Sequence, residues 1–212
     1  MVIWMGGMRL YDLFNKLKTD KQDKIINAAL NEFSKRNYED ASTNKIIEEA
    51  EISKGSLYNY FNNKKELYIY LMNYSAEVIE KMYEVIDLSQ TDLFVRLEEV
   101  GIAKLKIQQR YPQVFDFLFR MTKEESDAVA KLSQERVNTI QKKGLEKVYE
   151  EIDYSKFKDE IDVEKAIDIL TWTLFGYGNR AIETLDSVKD VDETYLKEWE
   201  EYAMMLKKVF YK

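Results

Sequence analysis

Between Ile52 and Lys65 the chain carries three lysines, Lys54, Lys64 and Lys65, and no acid, although acids outnumber bases 39 to 32 over the whole sequence. Among them stand Gly55, Ser56, Tyr58, Asn59 and Tyr60. Lysines and free backbone amides at the start of a helix suit phosphate, and Ser, Tyr and Asn side chains donate to phosphate oxygens or base edges. Gly55 would let the backbone come close to a DNA strand. This chemistry is recognition rather than bond making. The sequence has no histidine and no cysteine, so it lacks the commonest general base, a thiol nucleophile and the commonest metal ligands. No catalytic residue, metal or cofactor is expected.

The elements that must position these residues are two short helices joined by a tight turn, Ser42 to Lys65. Ser42 and Thr43 are N-cap residues ahead of Ile46, Ile47 and Ala50. Glu51 and Ile52 make the break, and Ser53 caps a second helix with Leu57 and Phe61 four residues apart on one face. A preceding helix, from Thr19 or Asp20 to Lys35, has the apolar stripe Ile25, Ile26, Ala29, Leu30 and Phe33. Three helices of this length make a compact reading domain with the third in the major groove. The competing reading of the two-helix unit is a solvated helical hairpin.

The run resembles the DNA-binding segment of the TetR/AcrR family of one-component transcriptional regulators. The resemblance rests on Thr43, Ile46, Ala50, Ile52, Ser53, Lys54, Gly55, Leu57, Tyr58, Tyr60, Phe61, Lys64 and Leu67, over about Lys21 to Leu71. Beyond that it is one of architecture. The family usually has Ala at Ile47 and Gly at Glu51; if the turn needs a positive φ at Glu51, a side chain there is unfavourable. The resemblance implies an all-α fold of about nine helices, a helix-turn-helix DNA-binding domain followed by a ligand-binding and dimerisation domain. It also implies a homodimer on a near-palindromic double-stranded operator, most often a repressor released by a small apolar or amphipathic effector. Thr43, Lys45, Lys54, Tyr58, Tyr60 and Lys64 are assigned to phosphate or its surroundings, and Gly55, Ser56 and Asn59 to bases or close backbone approach. The alternative is a helical non-DNA ligand-binding or adaptor protein that keeps the hairpin as scaffold.

Charge divides in the same place. Residues 1–65 hold 11 Lys/Arg against 9 Asp/Glu, net +2, and the remainder 21 against 30, net −9, which together give the −7 of the whole chain. Only the first part is suited to phosphate. The expected division is 1–18 as a flexible extension (with Met8 a candidate start), 19–65 as the DNA-binding domain and 66–212 as the second domain. No run approaches the roughly 20 apolar residues a membrane span needs, and the opening residues do not read as a secretory signal; a cytoplasmic protein is expected.

Downstream, Asn63 and Glu66 make a capping-box pattern ahead of a long helix to about Ile86. Helices are expected over Asp92–Gln109, with Gly101 at a close approach, over Gln113–Met121 after Pro112, over Glu124–Glu150, Val163–Leu185 and Thr194–Tyr211. The aromatic positions Phe115, Phe117, Phe119, Trp172, Phe175 and Tyr177, with Tyr74 and Val78, are either ordinary core or the wall of an apolar ligand cavity. Tyr195, Trp199, Tyr202, Leu206 and Val209 step by four, three, four and three, a packing seam. With Leu170, Leu174 and Ala181 it is either the cap of a monomer or a four-helix dimer interface, as in the family.

Overall fold

The computed structural model describes residues 4–5, 8–9, 11–184 and 191–212, with side-chain surroundings for 11–180 and 191–212. The expected all-α class is what the chain forms. Ten α-helices run through the described residues: α1 (Asp12–Asn15), α2 (Thr19–Lys35), α3 (Thr43–Glu49), α4 (Lys54–Phe61), α5 (Lys64–Tyr83), α6 (Leu93–Arg110), α7 (Pro112–Thr122), α8 (Ala130–Tyr149), α9 (Val163–Thr184) and α10 (Glu193–Phe210). A 3₁₀ turn at Tyr154–Lys156 lies between α8 and α9, and Trp4–Met5 pairs antiparallel with Met8–Arg9. Leu185, the expected end of α9, lies outside the described residues.

The chain forms two compact units, Met1–Glu77 with Gln113–Thr139, and Val78–Pro112 with Ile140–Lys212. This differs from a linear division at 65/66, because residues distant in sequence complete the first core. In that unit Ile25, Leu30 and Phe33 of α2, Ile46 of α3, Leu57 and Phe61 of α4 and Leu67, Tyr68 and Leu71 of α5 are all buried. The Tyr68 ring meets Phe33 and Phe117 edge-on, both at 5.1 Å, and its hydroxyl lies 3.1 Å from that of Ser133. Burial pushes the Tyr68 phenol up to about 12.

Two expectations for this unit change. Of the stretch 1–18, expected to be a flexible extension, residues 11–18 are packed: Phe14 is fully buried, 4.8 Å from the Phe61 ring and 5.1 Å from Tyr70. Gln22 fastens this segment by donating to the carbonyls of Phe14, Asn15 and Leu17. The helix expected from Glu124 starts only at Ala130. The Glu124 carboxylate instead accepts from the Ser126 and Tyr38 amides at 2.9 and 2.8 Å, and such side-chain bonds compete with helical ones.

The second unit buries Leu93, Phe94, Leu97, Val148, Phe157, Leu170, Phe210 and Tyr211 in one cluster. Asp92 caps α6 by accepting from Phe94 and Val95 amides, and pairs with Lys156 at 2.9 Å. Arg96 is fully buried and donates to four carbonyls, of Leu88, Gln90, Val148 and Glu150. It thereby satisfies carbonyls at the C-terminal end of α8 and in the loop before α6. Gly101 stands where a Cβ would come within 3.3 Å of Leu196, the close approach its position suggested. Between α9 and α10, Tyr177 and Tyr195 stack at 4.3 Å and each hydroxyl donates to the other's carbonyl, at 2.7 and 2.8 Å.

Candidate nucleic-acid interface

The reading element is α4, and its local sequence explains its placement. Ser53 has extended backbone and its Oγ accepts the Ser56 amide at 3.1 Å, an N-cap that fixes where the helix begins. Leu57 and Phe61 anchor one face. The rest follows from the helical period: Lys54, Gly55 and Asn59 are exposed, while Ser56, Tyr58 and Tyr60 are half-buried along the margins. A Cβ on Gly55 would find only the Ser53 hydroxyl, at 3.9 Å. Nothing within the chain therefore requires glycine there, and the open backbone faces outward.

The turn before α4 does take the left-handed conformation: Glu51 has φ 54. Its carboxylate is paired with Lys24 of α2, whose hydrogen bond and charge hold it below the usual carboxylate range. At the other end Asn62 has φ 52, a conformation Asn tolerates, and Asn63 accepts the Glu66 amide at 2.9 Å to start α5. Only this half of the capping box forms, since the Glu66 carboxylate accepts from the Tyr11 hydroxyl at 3.1 Å. Ser42 sits at the N-cap of α3 without a side-chain cap bond. Its amide donates to Glu32 at 2.9 Å.

The structure gathers most of the expected DNA-facing residues, with two qualifications of position. Thr43 of α3 and Tyr58 of α4 meet at 3.4 Å between hydroxyls, so the start of one helix and the middle of the other present polar atoms together. Tyr60 packs edge-on to Phe14 at 6.0 Å. Lys64 is committed inside the unit: its ammonium donates to the Glu39 carbonyl at 3.0 Å and lies 4.8 Å from the Tyr38 ring. Burial lowers its pKa, partly opposed by Glu39 and Asp40. Lys65 is exposed beside it. Lys45 is exposed on α3 and lines a cleft with α2 and α7 instead of standing beside α4.

Of the aromatic positions proposed for a ligand cavity, Tyr74, Phe115, Phe117 and Phe119 belong to the first unit, and Trp172, Phe175 and Tyr177, with Val78, to the second. Val78 and Phe115 are buried, Phe117 is packed on Tyr68 in the first unit, and Tyr74 and Phe119 are half-buried, the latter under Lys123. Tyr177 is surrounded by Tyr195, Trp199 and Tyr202, Phe175 is half-buried, and Trp172 is 69 % exposed. The seam assigned to a dimer interface also turns inward. Leu170 and Trp199 are buried, Leu174 and Leu206 pack on the second unit's core, and Tyr195 and Tyr202 face Tyr177. The Ala181 side chain lies outside the described residues. Val209, the last residue of the seam, is exposed, and so are Ile169 and Trp172 on α9 and Met204 and Met205 on α10.

Sequence and structure comparisons agree with this layout. Residues 25–71 match the family model of bacterial regulatory proteins of the tetR family. The chain is 33 % identical over 66 residues to the uncharacterised HTH-type transcriptional regulator YxaF of Bacillus subtilis, a match covering 31 % of this chain and 35 % of that protein. It is 28 % identical over 87 residues to the transcriptional regulator AcuR of Cereibacter sphaeroides, covering 38 % and 40 %. The chain thus spans well under half the length of these curated relatives. A TetR family regulator from Chloroflexus aurantiacus has the same fold with a TM-score of 0.67, at 20 % identity over 95 % of this chain and 98 % of that one. The fatty acid degradation regulator FadR of Bacillus halodurans aligns with a TM-score of 0.63, at 20 % identity over 91 % and 97 %.

Proposed function

Through its residues 25–71 this chain belongs to the tetR family of bacterial regulatory proteins, and from that premise we propose that it is a ligand-responsive DNA-binding transcriptional regulator. The observation that carries the proposal is the outer face of α4. Lys54, Gly55 and Asn59 are exposed there with no acid among them, held by the Ser53 cap and the Leu57–Phe61 anchor. Lys54 and the hydroxyls of Thr43 and Tyr58 engage phosphate, and Asn59 and Ser56 reach base edges.

One such helix touches few base pairs, so the working form is a homodimer on a near-palindromic operator. The face that supports pairing is Ile169 and Trp172 with Met204, Met205 and Val209, large apolar side chains exposed on the last two helices. Two copies of that face give an isologous four-helix contact. The protein acts as a repressor in the cytoplasm, and an effector bound in the second domain favours a dimer whose reading helices no longer fit the groove spacing. The effector in this reading is a small apolar or amphipathic molecule.

The test is a fluorescence-anisotropy titration of the full chain with a duplex spanning the region upstream of its own gene, at several salt concentrations. Saturable binding is expected, weakening steeply with salt, and Lys54→Ala should reduce the magnitude of the salt slope by about one. Release of that duplex on adding palmitate would support the effector class. Absence of any salt-dependent binding would favour the non-DNA ligand-binding alternative.

A further inference from the structure

The first unit contains a polar cleft of about 650 Å³ bounded by α2, α3 and α7, a volume in the range of small-molecule sites. Four basic side chains line it, Lys35 and Arg36 from the end of α2, Lys45 from α3 and Arg120 from α7, against Glu32, Asp40 and Glu49. Each of the three carboxylates already has an interaction within the unit. Glu32 accepts the Ser42 amide at 2.9 Å and pairs with Arg36 at 3.4 Å. Glu49 accepts from Asn31 at 3.0 and 3.1 Å, and the Asp40 charge acts on Lys64.

The basic side is less well served. Arg120 Nε is shut off from solvent with no hydrogen-bond partner. A buried donor left open in this way is unfavourable. Lys35 and Lys45 are exposed at the cleft edge, and neither has an ion-pair partner among the described residues. Four cations against three carboxylates leave a surplus of one positive charge in the cleft, and Lys35, Lys45 and Arg120 are the cations not paired with Glu32.

We propose that this cleft binds a small multivalent oxyanion, of phosphate or polycarboxylate type. Arg120 supplies its planar fork to one anionic group, and Lys35 and Lys45 supply point charges to another. The guanidinium comes from α7 and the ammonium groups from α2 and α3, so a bound anion ties α7 to those two helices. It does so four residues from Glu124, whose carboxylate already holds the Tyr38 amide. The site lies within the unit that carries α4, apart from any effector site in the second domain, and its binding does not depend on DNA recognition.

Isothermal titration of the full chain with pyrophosphate, and separately with citrate, at constant chloride-matched ionic strength tests the assignment. One saturable site per chain is expected for one of the two, and the one that binds distinguishes phosphate from polycarboxylate. Arg120→Gln should weaken it at least about tenfold, and Lys35→Gln several-fold. Lys35 is exposed, so its variant decides the matter even if the Arg120 variant melts early. Saturation unchanged in both variants, or no saturation with either anion, overturns the proposal. Displacement of the bound anion by duplex DNA would make the cleft a seat for backbone phosphate and overturn the small-anion assignment as well.

Discussion

Helices α4 and α10 are built on the same plan and put their free faces to opposite uses. Each buries one stripe: Leu57 and Phe61 in α4, Trp199 and Phe210 in α10. What remains outside on α4 is Lys54, Gly55 and Asn59, a lysine, an open stretch of backbone and an amide. On α10 it includes Met204, Met205 and Val209, more than half exposed, with Trp172 of α9 at 69 %. A polar, acid-free face suits a polyanion, whereas exposed methionine and tryptophan suit another apolar surface. The folded cores say little about function here; the residues that packing left over carry it.

The comparison breaks most visibly if the anchor of the reading face is removed. Phe61 contacts Phe14 at 4.8 Å and Tyr70 at 5.2 Å, so Phe61→Ala should cost about 3–5 kcal/mol of unfolding free energy. Denaturant unfolding checks this, and a change under about 1 kcal/mol would mean the pocket collapses or is not closely packed. The second face should respond differently. Trp172→Glu with Met205→Glu is expected to leave the circular dichroism spectrum unchanged while converting a dimer to a monomer in sedimentation. A monomeric parent, or a variant that stays dimeric, removes that face from the interface.

A finer contrast is in pH. Asp92 in the second unit is penalised by burial, yet its hydrogen bonds to Lys156 and the Val95 amide, with the Lys207 charge, hold its pKa below the ordinary value. A depressed folded pKa gives stability that is present above the unfolded value, about 3.9, and lost as pH falls through the folded one. Acid melting should therefore steepen below about pH 4, and Asp92→Asn, which keeps a cap acceptor, should flatten that limb. The smallest effect concerns Glu51. Replacing it with glycine relieves a side chain at φ 54 and loses the exposed Lys24 pair. Because exposed pairs contribute little, Glu51→Gly should raise the melting temperature by a few degrees, and a lowered value would show that the pair outweighs the backbone relief.

Much of the reading unit was legible beforehand because its determinants are local. The start and end of α2, the Ser53 cap and the Leu57–Phe61 spacing all follow from residues within one or two turns, whereas the positive φ at Glu51 is suggested only by the glycine usual there in the family the run resembles. Lys64 was not legible: its commitment to the Glu39 carbonyl and the Tyr38 ring brings together residues 25 apart in sequence. Glu124 is a similar case, since its helix-forming surroundings give no sign that Tyr38, 86 residues earlier, would take its carboxylate. The aromatic positions failed in another way. Periodicity finds a stripe but not what lies against it, so Trp199 and Tyr195 looked available for a partner while Tyr177 already occupied them.

The sequence by itself determined an all-helical chain, a capped reading helix with an acid-free outer face, and a positive charge balance confined to the first part. Those are properties of composition, period and nearest neighbours. Only the tertiary structure decided that α7 and the start of α8 complete the first unit, that Phe14 closes the back of α4, and that Trp199 of the α10 seam is buried while its Val209, with Met204 and Met205, is left outside. Each depends on which of several chemically equivalent apolar surfaces meet. Burial is non-directional and rewards them nearly alike, so long-range packing makes the choice.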